Sequence, residues 1–161
     1  GNRLFRIGNE DNWGEAIDVK CQSYNVRILE NTIEDVVVHS GGAITVLFDN
    51  ANYPDGATSA GVIVARNTIR RVRKCSGGWT GAGICIGGNG VIVSDNIIID
   101  TVGPSFIAVA HGANTTGKVR VYGNFFDSEV VINKFAGSGN YRPLNVELQS
   151  NVFSLQQDES D

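Results

Sequence analysis

One phrase is written five times along this chain, and it limits the possible folds more than any other feature. It runs Val26-Arg27-Ile28-Leu29-Glu30-Asn31-Thr32-Ile33 and returns as Val62 to Ile69, Val91 to Ile98, Val119 to Phe126 and Val146 to Phe153. In shorthand it is V-x-(I/V/L)-x-x-N-x-(I/F). Its asparagines fall at 31, 67, 96, 124 and 151, in steps of 36, 29, 28 and 27 residues. Asn2-Arg3-Leu4, 29 residues before Asn31, reads as the tail of a further copy. A repeat of this length makes each copy one structural unit stacked on the next.

Within a copy the apolar residues alternate and are mostly β-branched, which is a strand pattern and not a helical one. A second alternating segment lies between the phrases: Ala16 to Val19, Ala43 to Val46, Gly83 to Ile86, Phe106 to Val109 and Val131 to Lys134. Lys134 thereby takes a slot that is Val19, Val46, Ile86 and Val109 in the other copies, so the regular core is expected to loosen there. Such short strands pair with the same strand one unit on, which yields a parallel β-helix with coils ~4.8 Å apart. The expectation is an all-β, right-handed, single-stranded helix of five to six coils over residues 1–155, with a polar tail at 156–161. The asparagines should stack as an internal ladder, each side-chain amide bonding the next.

The pattern resembles the right-handed β-helix superfamily of pectate lyases, related polysaccharide lyases and hydrolases, and phage tailspikes, along nearly the whole chain. That resemblance implies a polysaccharide partner, an extracellular, secreted or virion location, and for the phage relatives a trimer. The absence of Met and an opening inside a repeat mark a fragment of a longer helix. No run of 18 apolar residues suggests a membrane span, and a net charge of −4 argues against general affinity for nucleic acid. Cys21, Cys75 and Cys85 allow at most one disulfide, with free thiols the equal alternative; Cys85 is expected to face outward.

Rows read across copies carry more information than the runs themselves. One residue before each Asn stand Glu30, Arg66, Asp95, Gly123 and Ser150; four after it stand Asp35, Arg71, Asp100, Ser128 and Leu155. The basic run Arg66 to Lys74 therefore lies between acidic neighbours, and inter-coil ion pairs are preferred over a polyanion patch. Ile63, Ile92, Ile97, Phe125 and Val152 form an outward apolar strip that needs a covering loop or a homotrimer interface. Long turns carry Asp49, Asn50, Asn52, Tyr53 and Asp55, and then Arg73 to Trp79. Tyr53 and Trp79 are candidate sugar-stacking surfaces, with Asn52 and Arg73 as polar contacts.

The segment Gly14-Glu15-Ala16-Ile17-Asp18-Val19-Lys20 looks like one in chondroitinase-B-like and alginate lyases, where a Glu precedes a Lys by five residues. The resemblance implies that Glu15 helps hold a calcium ion on a uronate carboxylate while Lys20 removes the neighbouring C5 proton. Asp49 and Asp55 would complete the calcium ligands, and Asp18 shares the outward face with Lys20. Two positions depart from that family. Leu47 stands where its Arg is expected, leaving Arg73, Lys74 or a residue of further coils to replace it, and Trp13 stands where a second carboxylate is expected. A scaffold pair Asp18–Lys20, in a binding or structural segment of a tailspike or adhesin, is the alternative. Hydrolysis by two carboxylates among Asp18, Asp49 and Asp55 is the rival chemistry. His39 and His111 have no Ser or Cys partner at a spacing that supports nucleophilic catalysis.

Overall fold

The computed structural model describes residues 1–9, 14–20, 23–46, 61–78, 80–88, 90–108, 110–111, 118–133, 141–142 and 144–154, and among them there is no helix. Strands are numbered in chain order. After β1 (Arg3–Ile7), the chain visits three sheets in rotation: β2 (Ile17–Val19), β3 (Arg27–Leu29) and β4 (Thr32–Val38), then β5 (Gly42–Val46), β6 (Ile63–Ala65) and β7 (Thr68–Lys74). The next circuit is β8 (Ala82–Ile86), β9 (Ile92–Ser94) and β10 (Ile97–Thr101). It is followed by β11 (Phe106–Ala108), β12 (Ala110–His111), β13 (Lys118–Tyr122) and β14 (Phe125–Phe126). Last come β15 (Val130–Ile132), β16 (Tyr141–Arg142), β17 (Asn145–Gln149) and β18 (Val152–Phe153).

Each counterpart pairs in parallel with the next, giving the sheets β2-β5-β8-β11-β15, β3-β6-β9-β13-β17 and β1-β4-β7-β10-β14-β18. Only the short pair β12–β16 is antiparallel among the described strands. This topology fits a parallel β-helix.

Alternation sends one apolar set from each sheet into a common core, with Ile33, Ile44, Ile69, Ile84, Ile98, Val64 and Val93 fully enclosed. One register differs from the sequence expectation. Ile84 pairs with Phe106 and then Val130, so Ile107 and Val131 point away from the core. A one-residue slip exchanges the two faces of a strand. The slip was hidden because the outer face here is apolar too: Ala82, Cys85, Ile107 and Val131 form a second buried cluster. Cys85 thus faces outward as expected yet is only 4 % exposed. Phe106 instead turns inward against Phe126, with ring centroids 5.8 Å apart. Cys75 and Cys85 are both buried and neither is in a disulfide.

The asparagines form a continuous internal ladder. Asn31 donates its backbone N–H and its side-chain amide to Asn67 Oδ1, both at 3.0 Å, and Asn67 does the same to Asn96 at 2.9 Å. Asn96 donates to Asn124, and Asn124 to Asn151, at 2.9–3.0 Å. Asn2 joins the row through Asn31 Oδ1, as the tail of a further copy should. Left-handed backbone just before each rung makes the corner: Glu30, Arg66, Asp95, Gly123 and Ser150 have φ of 60°, 55°, 55°, 66° and 52°. Four of these five carry a Cβ, at a cost of roughly 1 kcal/mol each that the ladder offsets.

A second left-handed row, Arg6, Asp35, Arg71 and Asp100, bends the β1 sheet. In both rows the expected ion pairs form between circuits: Arg66 meets Glu30 at 2.7 Å in the first, and Arg71 meets Asp35 at 2.6 Å in the second. Glu34, almost fully enclosed, takes Arg70 and Arg71 at 2.8 Å each, with Arg3 at 3.5 Å. The apolar strip divides in two. Ile97, Phe125 and Val152 line up on the β1 sheet, while Ile63 and Ile92 belong to the β3 sheet on the other side of the asparagine corner.

Candidate functional site

The β2 strand is short, and its first neighbour circuit holds it from outside. Ala16 donates its N–H to the Ala43 carbonyl at 2.9 Å, which fixes Glu15 at the corner where the chain enters the sheet. Val19 is buried in the core, and Asp18 points out. Lys20 follows immediately and places its ammonium 2.8 Å from Asp18 Oδ2. One circuit on, the residue paired with Asp18 is Thr45, and the next in the row is Cys85.

Glu15 is half-buried and hydrogen-bonds both Asp18 and Thr45. Burial is the main reason its carboxyl is pushed up to about 7; the bond to Asp18 and that group's negative charge add to it, while Thr45 and Lys20 oppose it. Thr45 is itself fully buried, accepting the Gly42 N–H at 2.9 Å and donating to the Gly42 carbonyl at 3.1 Å. Gly41 makes the meeting possible: its φ is +88°, and a Cβ there would lie 2.7 Å from both Glu15 Oε1 and Thr45 Oγ1. Burial, with the Glu15 charge beside it, pushes the Cys85 thiol up to about 12, so it stays an un-ionised packing group.

The three catalytic candidates of the sequence are therefore brought together. The Glu15 carboxyl bonds Asp18 on one side and the Thr45 hydroxyl on the other, and the Lys20 ammonium closes on Asp18. Thr45, which sequence reasoning did not single out, stands in Asp18's slot one circuit on. Lys20 stands outward beside Asp18, its ammonium paired with that carboxylate at 2.8 Å.

Arg73 pairs with Val37 at the end of the bent sheet and borders an open groove of about 480 Å³ with Arg6, Asp35 and Arg71. That groove reaches the Glu15 corner through the backbone. Gly8 lines it, and a Cβ on Gly14, the residue before Glu15, would lie 2.6 Å from Gly8 Cα. Tyr53, Trp79, Asn52, Asp49, Asp55, Leu47 and Trp13 lie outside the described residues. Among the described residues no three His, Cys, Asp or Glu side chains are grouped as a cation site. Of the expected calcium ligands only Glu15 is described, half-buried and hydrogen-bonded to Asp18 and Thr45.

No family model matches the chain, and no curated protein or solved structure matches it significantly. The reading of the site rests on its geometry. Among the described residues no helix is long and apolar enough to cross a membrane.

The charges also set a pH profile. Between 4.5, its ordinary value, and about 7, Glu15 binds more proton folded than unfolded, so stability falls as pH rises through that window. Glu30, Glu34, Asp35 and Glu147 are held below the usual carboxylate range, chiefly by Arg66, Arg70, Arg71 and Lys118 respectively. Their contribution is present above the unfolded value and is lost as pH falls through the folded one. Maximum stability is expected on the acid side of neutrality. Denaturation at pH 5 and pH 8 should show a loss of about 1–2 kcal/mol, reduced from the full shift by solvent screening, and Glu15→Gln should flatten it. An unchanged slope in that variant would remove Glu15 as its source.

Proposed function

We propose that the chain is a right-handed parallel β-helix segment of five to six coils that acts on an acidic polysaccharide by β-elimination. The observation that carries this reading is the Glu15 carboxyl poised at about 7 between Asp18 and Thr45. A group half-ionised at neutral pH can both take and return a proton. In the proposed step the ionised Glu15 takes the C5 proton of a uronate. The C5–H electron pair becomes the C4–C5 double bond, the C4–O4 bond breaks, and the leaving oxygen is protonated from water. Lys20, held as an ammonium by Asp18, faces the uronate carboxylate and makes the C5 proton more acidic. Arg73 and Arg6 receive the neighbouring acidic unit in the groove beyond Gly8. No step is routed through calcium.

A second reading is favoured by one observation, the closed Asp18–Lys20 pair at 2.8 Å. In it the chain is a non-catalytic binding or structural segment of the tailspike or adhesin kind. Incubation with alginate, pectate and glycosaminoglycans separates the two. Growth of the ultraviolet absorbance of the unsaturated sugar supports elimination. Its absence with all three polymers overturns the enzyme reading, and retained binding would then support the second.

A further inference from the structure

Next along the same flank lies an open groove of about 570 Å³, and Val102, 80 % exposed, forms the lip between it and the arginine groove. Its lining mixes two chemistries. Val102, Pro104 and Phe153 are apolar, and Asp127, Ser128 and Glu129 between them are polar. Phe153 packs on Phe126 at 5.8 Å and leaves 48 % of its surface open.

The polar part is fixed in advance. Asp127 Oδ1 accepts the Ser105 hydroxyl at 3.1 Å, and Oδ2 accepts the Asp100 backbone N–H. Ser105 is fully enclosed, and its oxygen lies 2.8 Å from Ser128 Oγ, which in turn donates to the Gly103 carbonyl at 3.0 Å. Thr101 Oγ1 closes the network 2.6 Å from Ser128 Oγ. Asp127 Oδ1 also takes the Thr101 hydroxyl at 3.5 Å, so the carboxylate is held in place with acceptor capacity left at Oδ2, its side-chain entropy already lost.

A ligand for this lining needs one apolar face and donors along its edge. A sugar ring has that form, with C–H bonds for an aromatic face and hydroxyls for carboxylate oxygens. Among the described residues no Lys or Arg lines this groove, whereas the Asp127 carboxylate does, so an acidic sugar is disfavoured. We propose that this groove is a second saccharide subsite, specific for a sugar unit without a carboxylate and separated by Val102 from the arginine groove. It extends the polysaccharide reading, but the site and its test are independent of Glu15 chemistry.

The test is protein-observed NMR titration with maltose, cellobiose and N,N′-diacetylchitobiose, set against digalacturonate. At least one neutral disaccharide should shift the Gly103, Ser128 and Phe153 amides in a saturable way, and digalacturonate should leave them in place. Val102→Asp, at a residue too exposed to affect folding, should weaken that binding at least tenfold. Phe153→Ala should abolish it, with circular dichroism confirming the fold. The proposal is overturned if none of the three neutral sugars moves those amides, if digalacturonate moves them equally, or if Val102→Asp binds as wild type. Loss of elimination activity alone would leave these shifts intact, so failure of the enzyme reading is distinguishable.

Discussion

Asn96→Ala is expected to destabilise the fold by about 2–3 kcal/mol in chemical denaturation, since it strands buried polar groups on both sides. Asn96 is completely enclosed. Its Oδ1 receives both the backbone N–H and the side-chain amide of Asn67, and its own amide serves Asn124 Oδ1 and the Val64 carbonyl at 2.9 Å. Alanine removes all four bonds. The buried Asn67 N–H then loses its acceptor, and the Val64 carbonyl keeps only its ladder bond to β9. Asn67 loses least, because its amide keeps the Ile28 carbonyl at 2.9 Å and the Ala65 carbonyl at 3.2 Å. Asn151→Ala is the control. It is half-buried at the end of the row, and its loss should cost about 1 kcal/mol. Equal effects at the two positions would show that the rungs do not act as an enclosed ladder.

Glu15→Gln is expected to lower the rate of elimination by about 100-fold or more, the usual range for a lost general base. The amide keeps the shape and can still bond Thr45, so binding of the polymer should persist and the loss should appear in kcat. Lys20→Ala should behave differently, raising KM through the lost attraction for the uronate carboxylate. The wild-type rate should climb with pH through about 7 as Glu15 ionises, in the opposite sense to stability. Wild-type turnover in the Gln variant would take Glu15 out of the mechanism. A kcat loss confined to Lys20→Ala would return the base to Lys20, against the 2.8 Å ion pair.

The corners were legible in the sequence because their residues admit few alternatives. An Asn repeated after a left-handed residue, with alternating valines before it, has one economical arrangement in three dimensions. Paired charges such as Glu30 and Arg66 could be read for the same reason, since stacking brings equal positions together. The register of β11 could not be read, because Phe106 and Ile107 are both apolar and both of their faces are buried. Alternation decides a strand's orientation only where one side meets water. The Glu15 centre was legible in its members but not in its protonation. The spacing of Glu15, Asp18 and Lys20 gives no measure of how deep the corner lies, and depth is the main reason the Glu15 carboxyl is pushed up.

The rungs of the ladder lie the same 2.9–3.0 Å apart whether 36 residues separate them, as between Asn31 and Asn67, or 27, as between Asn124 and Asn151. Contour length between corners is therefore invisible to the scaffold. The stack gauges only the height of one circuit. A longer segment between β5 and β6, where the longest step occurs, leaves the rung spacing as it is. Closing a longer loop costs only about 0.6 kcal/mol per doubling. A chain built in this way can vary the length between its corners one circuit at a time, as a loom changes thread while its frame stands.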